Sequence, residues 1–482
     1  MKKFLALLLA AVMVFALAAC GQAAAPAAAP AAEPAAPAAE PAAEPAAEPA
    51  AEPAAEGKEV INLYSFTDEI PTMVQHYFDI NPDFAAKYEL KTTIVATTDN
   101  LYQPALDQAL AAGGADAPDI YAAEAAFILK YSQGDACEYA ASYADLGLDV
   151  DKEIADAGIA QYTVDIGTRP SDGALVGLGY QCNGGCFIYR RSIAKDVWGS
   201  DDPAVVAEKI GAGSGNWDAF FAAAEELKAK GYKIVSGDGD IWHSIENSSD
   251  AGWIVDGKLN IDAKREAFLD LSKQLKDNDY HNDTQDWQEG WFADMKGDGN
   301  VLGFYGPCWL INYTIAPNSG EGEDLSENSS AGDWAVCPPN IGFFWGGTWV
   351  LANKDVVGTS KQEAVAQIIE WITLDGTENG LQYHWANGDL YGEGGTKDVV
   401  ASATALALAS GEMDFLGGQN AFEKFIPACS YANGKCLTQY DETINTYWRD
   451  AVRQYTAGNL TRDEAIAAFK QNVADNLDVV VE

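Results

Sequence analysis

The sequence predicts an α/β protein with two or more lobes, and three observations support this. Strand-like and helix-like segments alternate from Val60 onward, as a largely parallel sheet requires. About 425 residues follow an Ala/Pro/Glu-rich stretch, enough chain for several lobes with their own cores. Residues 296–353 concentrate tryptophans among glycines and prolines, the composition expected where backbone turns border a cleft.

The N-terminus reads as an export signal. Lys2 and Lys3 precede an apolar run, Phe4 to Ala16, that is too short to remain as a membrane-spanning helix. Leu17, Ala18, Ala19 and Cys20 follow and resemble the lipobox of bacterial lipoproteins. We therefore predict a signal peptide at 1–19 and a lipid on Cys20, the alternative being ordinary cleavage at a small-residue site.

Residues 20–57 are predicted to be a disordered tether that begins at the lipidated cysteine. They consist almost wholly of Ala, Pro and Glu, so prolines block a continuous helix and there is little apolar surface to bury. The tether would hold the folded part at the outer, extracellular face of the bacterial cytoplasmic membrane. Contact with the membrane is expected through the N-terminal lipid only.

The charge balance excludes two classes of partner. The chain has 30 basic and 72 acidic residues, a formal net charge of −42. Nucleic acid and anionic lipid surfaces would both be repelled. No partner of either kind is expected.

Eight cysteines are present, and lipidation of Cys20 leaves seven. Three pairings are open from the spacing, with one or more structural bridges expected in an exported protein. No pair has C-x-x-C spacing and no histidine lies nearby, so we expect neither a metal nor a cofactor. The three candidate pairs are Cys182 with Cys186, Cys308 with Cys337, and Cys429 with Cys436.

The first half of the folded chain alternates in a regular order. An opening strand, Val60 to Phe66, runs directly into Asp68 and Glu69, and open α/β sheets place ligand-binding groups after such strands. A turn containing Glu124 follows a short strand in the same way. The remaining predicted elements here are a helix around 73–78, strands at 90–96 and 119–121, and a helix at 101–112.

The second half shows clearer helix boundaries. Two strands are predicted about a glycine-rich tip after Ala174, followed by a helix. Helical spacing of apolar residues predicts helices at 217–230, capped by Asn216, and at 262–276, with a strand at 234–236 between them. Capping boxes are predicted for Ser360 with Glu363 and for Thr461 with Glu464.

Several segments, in this order, resemble the carbohydrate-binding lipoproteins of ABC importers, the family 1 extracellular solute-binding proteins related to maltose-binding protein. APDIYAAEAAFILKYSQGD resembles the family's PD motif and helix, and LVGLGYQCNGGCFIYRR its hinge strand and return. GNWDAFFAAAEELKAKG, GDGNVLGFYGPCWL and AGNLTRDEAIAAFKQNVADNL resemble three further motifs, although Val301 and Leu302 replace the family's alanine and methionine. The likeness covers nearly all of 58–482.

The resemblance implies a two-lobed periplasmic-binding-protein-like fold of type II, with hinge crossovers that allow closure on a ligand. The first α/β lobe would comprise 58–170 plus 342–386. The second α/β lobe would comprise 171–341 plus 387–482.

The resemblance also implies a cleft that holds a sugar between aromatic rings and hydroxyl-matching polar side chains. Trp309 takes the position of the tryptophan in the family's GxW segment. For each carboxylate the alternative is a solvated surface charge, and for each tryptophan a place in the core. The full set of predicted ligand-binding residues is Asp68, Glu69, Glu124, Tyr180, Asn183, Trp242, Trp309, Trp345, Trp349 and Asp389.

We therefore expect a monomeric binding protein, not an enzyme, that captures a neutral oligosaccharide. By the resemblance, its partners would be the ABC permease subunits and their ATPase. Two alternatives stay open: a surface-anchored glycoside hydrolase, since paired carboxylates also cleave glycosides, and a carbohydrate adhesin without a transporter.

Overall fold

A computed structural model describes residues 57–97, 100–322, 325–392 and 394–482. The predicted signal peptide, Cys20 and all of the tether but its last residue lie outside these ranges. Within them, no helix is long and apolar enough to cross a bilayer. The described residues also contain no group of three or more His, Cys, Asp or Glu side chains that could hold a metal ion.

The strands are short and lie mostly in two sheets. In chain order they are β1 (Glu59–Ser65), β2 (Tyr88–Ile94), β3 (Ile120–Glu124), β4 (Gly177–Gly179), β5 (Cys186–Arg190), β6 (Ile254–Val255), β7 (Lys258–Leu259), β8 (Gly303–Gly306), β9 (Trp334–Cys337), β10 (Thr348–Ala352), β11 (Glu412–Met413) and β12 (Gln419–Asn420).

Helices cover the sheets and the connections between them. They are α1 (Glu69–Ile80), α2 (Pro82–Ala85), α3 (Tyr102–Ala112), α4 (Ile128–Ser132), α5 (Val150–Ala157), α6 (Gln161–Gly167), α7 (Arg191–Trp198), α8 (Pro203–Ile210), α9 (Asp218–Lys228), α10 (Gly239–Glu246), α11 (Ala263–Asp277), α12 (Glu289–Ala293), α13 (Cys308–Leu310), α14 (Gln362–Thr373), α15 (Leu381–Asn387), α16 (Ala403–Leu408), α17 (Phe422–Ala428), α18 (Asp441–Thr456) and α19 (Arg462–Asn476). A π-helical turn, Ile311–Ile315, directly continues α13.

The first sheet has the strand order β2-β1-β3-β10-β4. Strands β2 and β3 run parallel to β1, whereas β10 runs antiparallel to both β3 and β4. The carboxyl ends of β1, β3 and β4 therefore meet the amino end of β10 at one edge. In sheets of this kind, that edge is where ligand-binding groups collect.

The second sheet, in the order β8-β5-β9, lies between two hydrophobic cores. Successive residues of β5 alternate between them because side chains of a strand point to opposite faces. Cys186 and Ile188 contribute to the core that also fills the first sheet, and Phe187 and Tyr189 to a second core beneath α9, α11 and α18. Both faces of this sheet are thus buried.

Three chain segments connect the regions around the two sheets and lie side by side. The segment between β4 and β5 pairs with the segment before β10 through an antiparallel bridge of Gly184 with Phe344. The segment between β4 and β5 also pairs with a third segment, between α15 and α16, through a bridge of Gln181 with Val400. Adjacent connections of this kind can act as a hinge, because small φ/ψ changes in each segment would rotate one lobe against the other.

The predicted alternation of strands and helices is confirmed over the described residues, with three local corrections. Asn216 is not the N-cap of the helix it precedes, because α9 begins at Asp218 and Trp217 takes the N-cap position without a side-chain cap. Residues 234–236 do not form a strand, because the backbone N–H groups of Ser236 and Gly237 donate to the Asp240 carboxylate (2.8 and 2.9 Å) and turn the chain into α10. The Ser360 capping box is also wrong: α14 begins at Gln362, and the Ser360 hydroxyl donates to Glu59 instead. The box at Thr461 is confirmed.

None of the three candidate disulfides forms, and the seven described cysteines are all unpaired. Cys186, Cys308 and Cys337 are buried in the cores, where they pack as small apolar side chains. The Cys429 thiol instead donates a hydrogen bond to the backbone carbonyl of Cys182 (3.3 Å). The local spacing of cysteines was therefore a poor guide to which of them are neighbours.

Candidate ligand-binding cleft

Four ring side chains, which we call the indole cluster, line one end of a cleft: His243, Trp287, Trp309 and Trp345. The imidazole of His243 stacks on Trp345 with ring centres 3.9 Å apart and planes within 14°. Trp309 meets Trp345 edge-on at 4.8 Å, and lies 6.3 Å from Trp287 with nearly parallel planes. Trp287 is 51% exposed. The cluster therefore presents flat apolar surface that is open to solvent.

The backbone around Trp345 explains why these rings can meet. Gly346 and Gly347 both have positive φ, +73° and +120°, which favours glycine. A side chain on Gly346 would contact the Trp309 ring and the Glu124 carboxylate, at 3.3 and 3.5 Å from the added carbon. Close approach of rings and carboxylate thus depends on the bare backbone at this position.

Asn183 holds this turn in place. Its backbone carbonyl accepts from the Trp345 N–H (3.1 Å), and its side-chain amide donates to the Gly346 carbonyl (3.1 Å). The residue is fully buried, so the structure makes Asn183 a residue that positions Trp345. The sequence predicted that Asn183 would touch the ligand directly.

A cavity of about 410 Å³ opens beside the indole cluster. Its wall combines His243, Trp287 and Trp345 with the polar side chains of Gln285, Glu442, Asn445 and Arg449. Arg449 is held by Asp286 (2.7 Å) and Asp238 (3.5 Å), so its guanidinium is fixed before any ligand arrives. Apolar rings on one wall and fixed polar groups on another are the features of a small-molecule site.

Glu124 is the last residue of β3 and lies at the border of the cluster. Its carboxylate accepts from the Ala126 N–H at 2.7 Å. Burial raises the pKa of Glu124 to about 7, and the charges of Glu442 and Glu246 add to this, while the Ala126 hydrogen bond acts in the opposite direction. The carboxyl can therefore exchange a proton near neutral pH.

Glu246 differs from Glu124 because it is paired. Burial alone would raise the pKa of Glu246. The pKa is nevertheless lowered, because Glu246 is stabilised by the hydrogen bond and charge of His243, by the charge of Arg265 and by a hydrogen bond from Asn445. The His243 Nδ1 lies 3.3 Å from the Glu246 carboxylate. This contact fixes the plane of the imidazole that stacks on Trp345.

A second set of side chains, which we call the carboxylate–tyrosine group, comprises Asp68, Glu69, Tyr180, Tyr313 and Tyr391. The Tyr180 and Tyr313 hydroxyls both donate to the Glu69 carboxylate. Burial raises the pKa of Tyr391, and the nearby charges of Glu69 and Asp68 add to this. Tyr313 and Tyr391 are 41% and 49% exposed, so this group also faces solvent.

The position of Glu69 follows from the sheet. β1 ends at Ser65, and α1 begins at Glu69 after a turn of three residues, so the carboxylate stands at the carboxyl edge of the first sheet. Burial raises the pKa of Glu69 and the charge of Asp68 adds to this, although the tyrosine hydrogen bonds lower it. Asp68 itself is exposed.

Asp389 lies beyond this group. Its carboxylate accepts hydrogen bonds from Asn387 (2.8 Å) and contacts the His384 Nδ1 (2.7 Å). Burial would raise its pKa, but these partners lower it. Both oxygens of Asp389 are thus already engaged within the loop after α15.

Comparison with known proteins decides the family. Residues 82–408, more than half of the chain, match the family described as bacterial extracellular solute-binding protein. The chain belongs to this family. Comparison of the sequence with curated proteins gives no match.

Solved structures similar to this solute-binding protein share its fold. One is a family 1 extracellular solute-binding protein, with a TM-score of 0.63 and 17% identity, covering 86% of this chain and 99% of that one. Another is the galacto-N-biose-/lacto-N-biose I-binding protein of the ABC transporter from Bifidobacterium longum, in complex with lacto-N-biose. Its TM-score is 0.62 at 16% identity, and the match covers 89% of this chain and 100% of that one. A third is an ABC substrate-binding protein from Listeria monocytogenes in complex with cycloalternan. Its TM-score is 0.61 at 15% identity, and the match covers 87% of this chain and 99% of that one. The predicted two-lobed α/β fold is confirmed.

Two predicted residues of this solute-binding protein pack mainly in its cores. Trp349 is fully buried in β10, a central strand, and its indole N–H donates to the Thr163 carbonyl at 3.0 Å. Trp242 is 1% exposed and packs against Phe268, 4.8 Å away. Trp349 thus lies away from the cleft, whereas Trp242 borders the cavity beside His243 although almost all of its ring is covered.

Sequence reasoning missed several cleft residues. His243 follows Trp242, and neighbouring positions on a helix point about 100° apart, so the prediction fell one residue short of the ring that faces the cleft. Tyr313 comes four residues after Trp309, and this helical spacing could have identified it. Glu442 and Arg449 lie seven residues apart on α18, with Asn445 between them, and this helical spacing could also have identified them. Trp287 and Tyr391 come from separate loops, and no local pattern connects them.

Contacts also join the two sides of the cleft. The Gln103 amide, on α3 beside the first sheet, donates to the Glu442 carboxylate on α18. Nearby, the Asp135 N–H donates to Gln439 at 3.1 Å, and the Gln439 amide donates back to Asp135 at 3.2 Å. These polar contacts are of a kind that can break and re-form as a cleft opens.

Proposed function

We propose that this protein is an extracytoplasmic sugar-binding lipoprotein that delivers a neutral oligosaccharide to an ABC importer. The indole cluster beside a polar cavity is the observation that carries the proposal. A sugar offers a face of C–H groups for stacking and a rim of hydroxyls, each both donor and acceptor. Trp309 and Trp345 suit the first, and Glu124, Asn445 and Arg449 suit the second.

The known binding proteins with the same fold support the choice of ligand class. The Bifidobacterium longum protein was solved with lacto-N-biose, and the Listeria monocytogenes protein with cycloalternan. A further structural neighbour, from B. animalis subsp. lactis, was solved with beta-1,6-galactobiose. The strongly acidic composition of the present chain favours a neutral ligand over an anionic one.

Delivery would work by hinge closure between a lobe of 58–170 plus 342–386 and a lobe of 171–341 plus 387–482. The placement of β10 in the first sheet and of β5, β8 and β9 in the second supports most of this division. The boundary at 170/171 needs correction, because β4 pairs with β10 in the first sheet and the first crossover therefore lies after Gly179. A ligand that touches Glu124 on one side and Trp309 on the other would favour the closed form, since only that form offers both contacts.

The location follows from the lipid proposed for Cys20, which would hold the monomeric protein at the outer membrane face beside its permease and ATPase. Metabolic labelling with a radioactive fatty acid in a bacterial host tests this. Label should appear on the wild-type protein and disappear in Cys20→Ala, which should also be released from the membrane fraction. Equal release of both proteins would refute the anchor.

Calorimetric titration with a panel of neutral di- and oligosaccharides tests the function. At least one should bind, and Trp309→Ala should lower its affinity by about tenfold or more without lowering the temperature of unfolding. Unchanged affinity in Trp309→Ala would remove that ring from the site. Failure of every saccharide to bind would reject the proposal.

One observation favours a second candidate, a glycoside hydrolase. The raised pKa of Glu124, about 7, beside Glu442 and Glu246 resembles the acid and carboxylate pair of such enzymes. Chromatography of each saccharide after prolonged incubation separates the two functions. Products that appear with the wild type and not with Glu124→Gln would establish hydrolysis.

A further inference from the structure

Exposed aromatic rings mark two places in the cleft rather than one. Among the large apolar side chains that the described structure leaves exposed, four are aromatic: Trp287, Tyr313, Tyr391 and Tyr431. Trp287 belongs to the indole cluster, and Tyr313 and Tyr391 to the carboxylate–tyrosine group. Exposed aromatic surface is costly in water and commonly indicates a binding surface.

The two sets of rings have separate neighbours. Trp287, Trp309 and Trp345 contact one another, and Trp345 also stacks on His243. Tyr313 packs at 6.2 Å from Trp385, which is in turn 6.3 Å from Tyr180. A ligand restricted to the indole cluster would therefore leave the second set of rings unused.

One short helical segment connects the two sets. Trp309 lies on α13 and Tyr313 on the π-helical turn that continues it, four residues later. At about 1.5 Å of rise per residue, the two side chains are offset by roughly 6 Å along the segment. This offset is comparable to the length of one pyranose ring.

The first sheet supplies a matching row of carboxylates. Glu124 is the last residue of β3, and Glu69 begins the helix after β1, the neighbouring strand of the sheet. Parallel neighbours are about 4.8 Å apart, so both carboxylates lie at the same edge of the sheet. The chemistry of the second set also fits a sugar, because Glu69, Tyr313 and Tyr391 present a carboxylate, hydroxyls and ring faces.

We propose that the ligand is a saccharide longer than two units whose far end rests on Tyr313 and Tyr391. This inference rests on the proposed function. It adds the length of the saccharide and the residues that determine which length is preferred. A disaccharide on the indole cluster would gain only the contacts of that end. A third or fourth unit reaches Tyr313, and the unit after it reaches Tyr391.

Calorimetry with a length series tests this inference. The probes are di-, tri-, tetra- and pentasaccharides of α-1,4-glucose, β-1,4-glucose and β-1,6-galactose. In the series that binds, the tetrasaccharide should bind at least about tenfold more tightly than the disaccharide, a difference of about 1.4 kcal/mol. Tyr313→Ala and Tyr391→Ala should each remove most of this gain and leave the disaccharide unchanged.

Two further variants separate the possible failures. Trp309→Ala should weaken binding at every length, and Tyr431→Ala, whose ring lies against Gly342 outside both groups, should weaken it at none. Equal affinity for all lengths, or loss of disaccharide affinity in both Tyr313→Ala and Tyr391→Ala, would overturn the inference while the sugar-binding function stands. If no saccharide binds at all, the function fails, and the inference fails with it.

Discussion

The indole cluster and the carboxylate–tyrosine group contribute different forces. The cluster presents stacked rings, with Trp345 held between His243 and Trp309. The group presents a carboxylate that two tyrosine hydroxyls already satisfy. Apolar stacking gains free energy from the area removed from water, whereas a new hydrogen bond mostly replaces one to water. We therefore expect affinity to come chiefly from the cluster and discrimination of length from the group.

The largest effect is expected for Trp345→Ala. This ring touches three others and borders the cavity, so its loss should lower the affinity for any bound saccharide by about 30-fold or more. Calorimetric titration measures it, with Trp345→Phe as the control that keeps a flat ring. A loss of less than about threefold in Trp345→Ala would place the main stacking surface elsewhere.

A smaller effect is expected from the ionisation of Glu124. If a sugar hydroxyl donates to this carboxylate, affinity should rise about tenfold between pH 6 and pH 8, as the carboxyl with a pKa of about 7 ionises. Glu124→Gln should remove the rise. The groups that face Glu124 are Glu442 on α18 and Glu246 on α10, with His243 bonded to the latter.

Glu442→Gln provides the matched control for that prediction. The charge of Glu442 raises the pKa of Glu124, so the variant should shift the rise in affinity to lower pH without abolishing it. A pH profile that is unchanged in both variants would show that another group controls it.

Stability should depend on pH in the opposite direction. The pKa of Glu124 is higher in the folded protein than its ordinary value of 4.5, so folding favours the protonated form. Its contribution to stability is complete below about pH 4.5 and is lost as the pH rises through about 7. The unfolding temperature of Glu124→Gln should therefore rise relative to that of the wild type as the pH is raised from 5 to 8.

The smallest effect is expected for Glu69→Gln. Glutamine keeps an oxygen that accepts from Tyr180 and Tyr313, so the tetrasaccharide should lose only about two- to fivefold in affinity. The disaccharide should lose nothing. A large loss at both lengths would erase the proposed difference between the two ends of the cleft.

Some of the site was predictable from the sequence because strand ends are local features. Asp68, Glu69 and Glu124 were chosen for following strands, and the structure places all three at the carboxyl edge of the first sheet. Trp309 and Trp345 were chosen for their glycine-rich surroundings, and both lie in the indole cluster. These predictions needed only strand positions and turn composition.

Other choices failed because orientation is not a local property. Trp242, Trp309, Trp345 and Trp349 look alike in the sequence, yet two of them are buried in the cores. Whether a ring faces the cleft or the core depends on the helix rotation at α10 and on the partners that cover β10 on both sides. Neither can be obtained from residue spacing alone.

The sequence by itself determined the class of fold, the order of its elements and the family, because these follow from periodicity, turn residues and motif order along the chain. Only the tertiary structure decided that Trp287 lies beside Trp345, that Tyr313 reaches Glu69, and that Cys429 approaches Cys182 while the described cysteines form no disulfide. The physical reason is that the three connections between the sheets bring together residues far apart in the chain, and such contacts leave no local pattern.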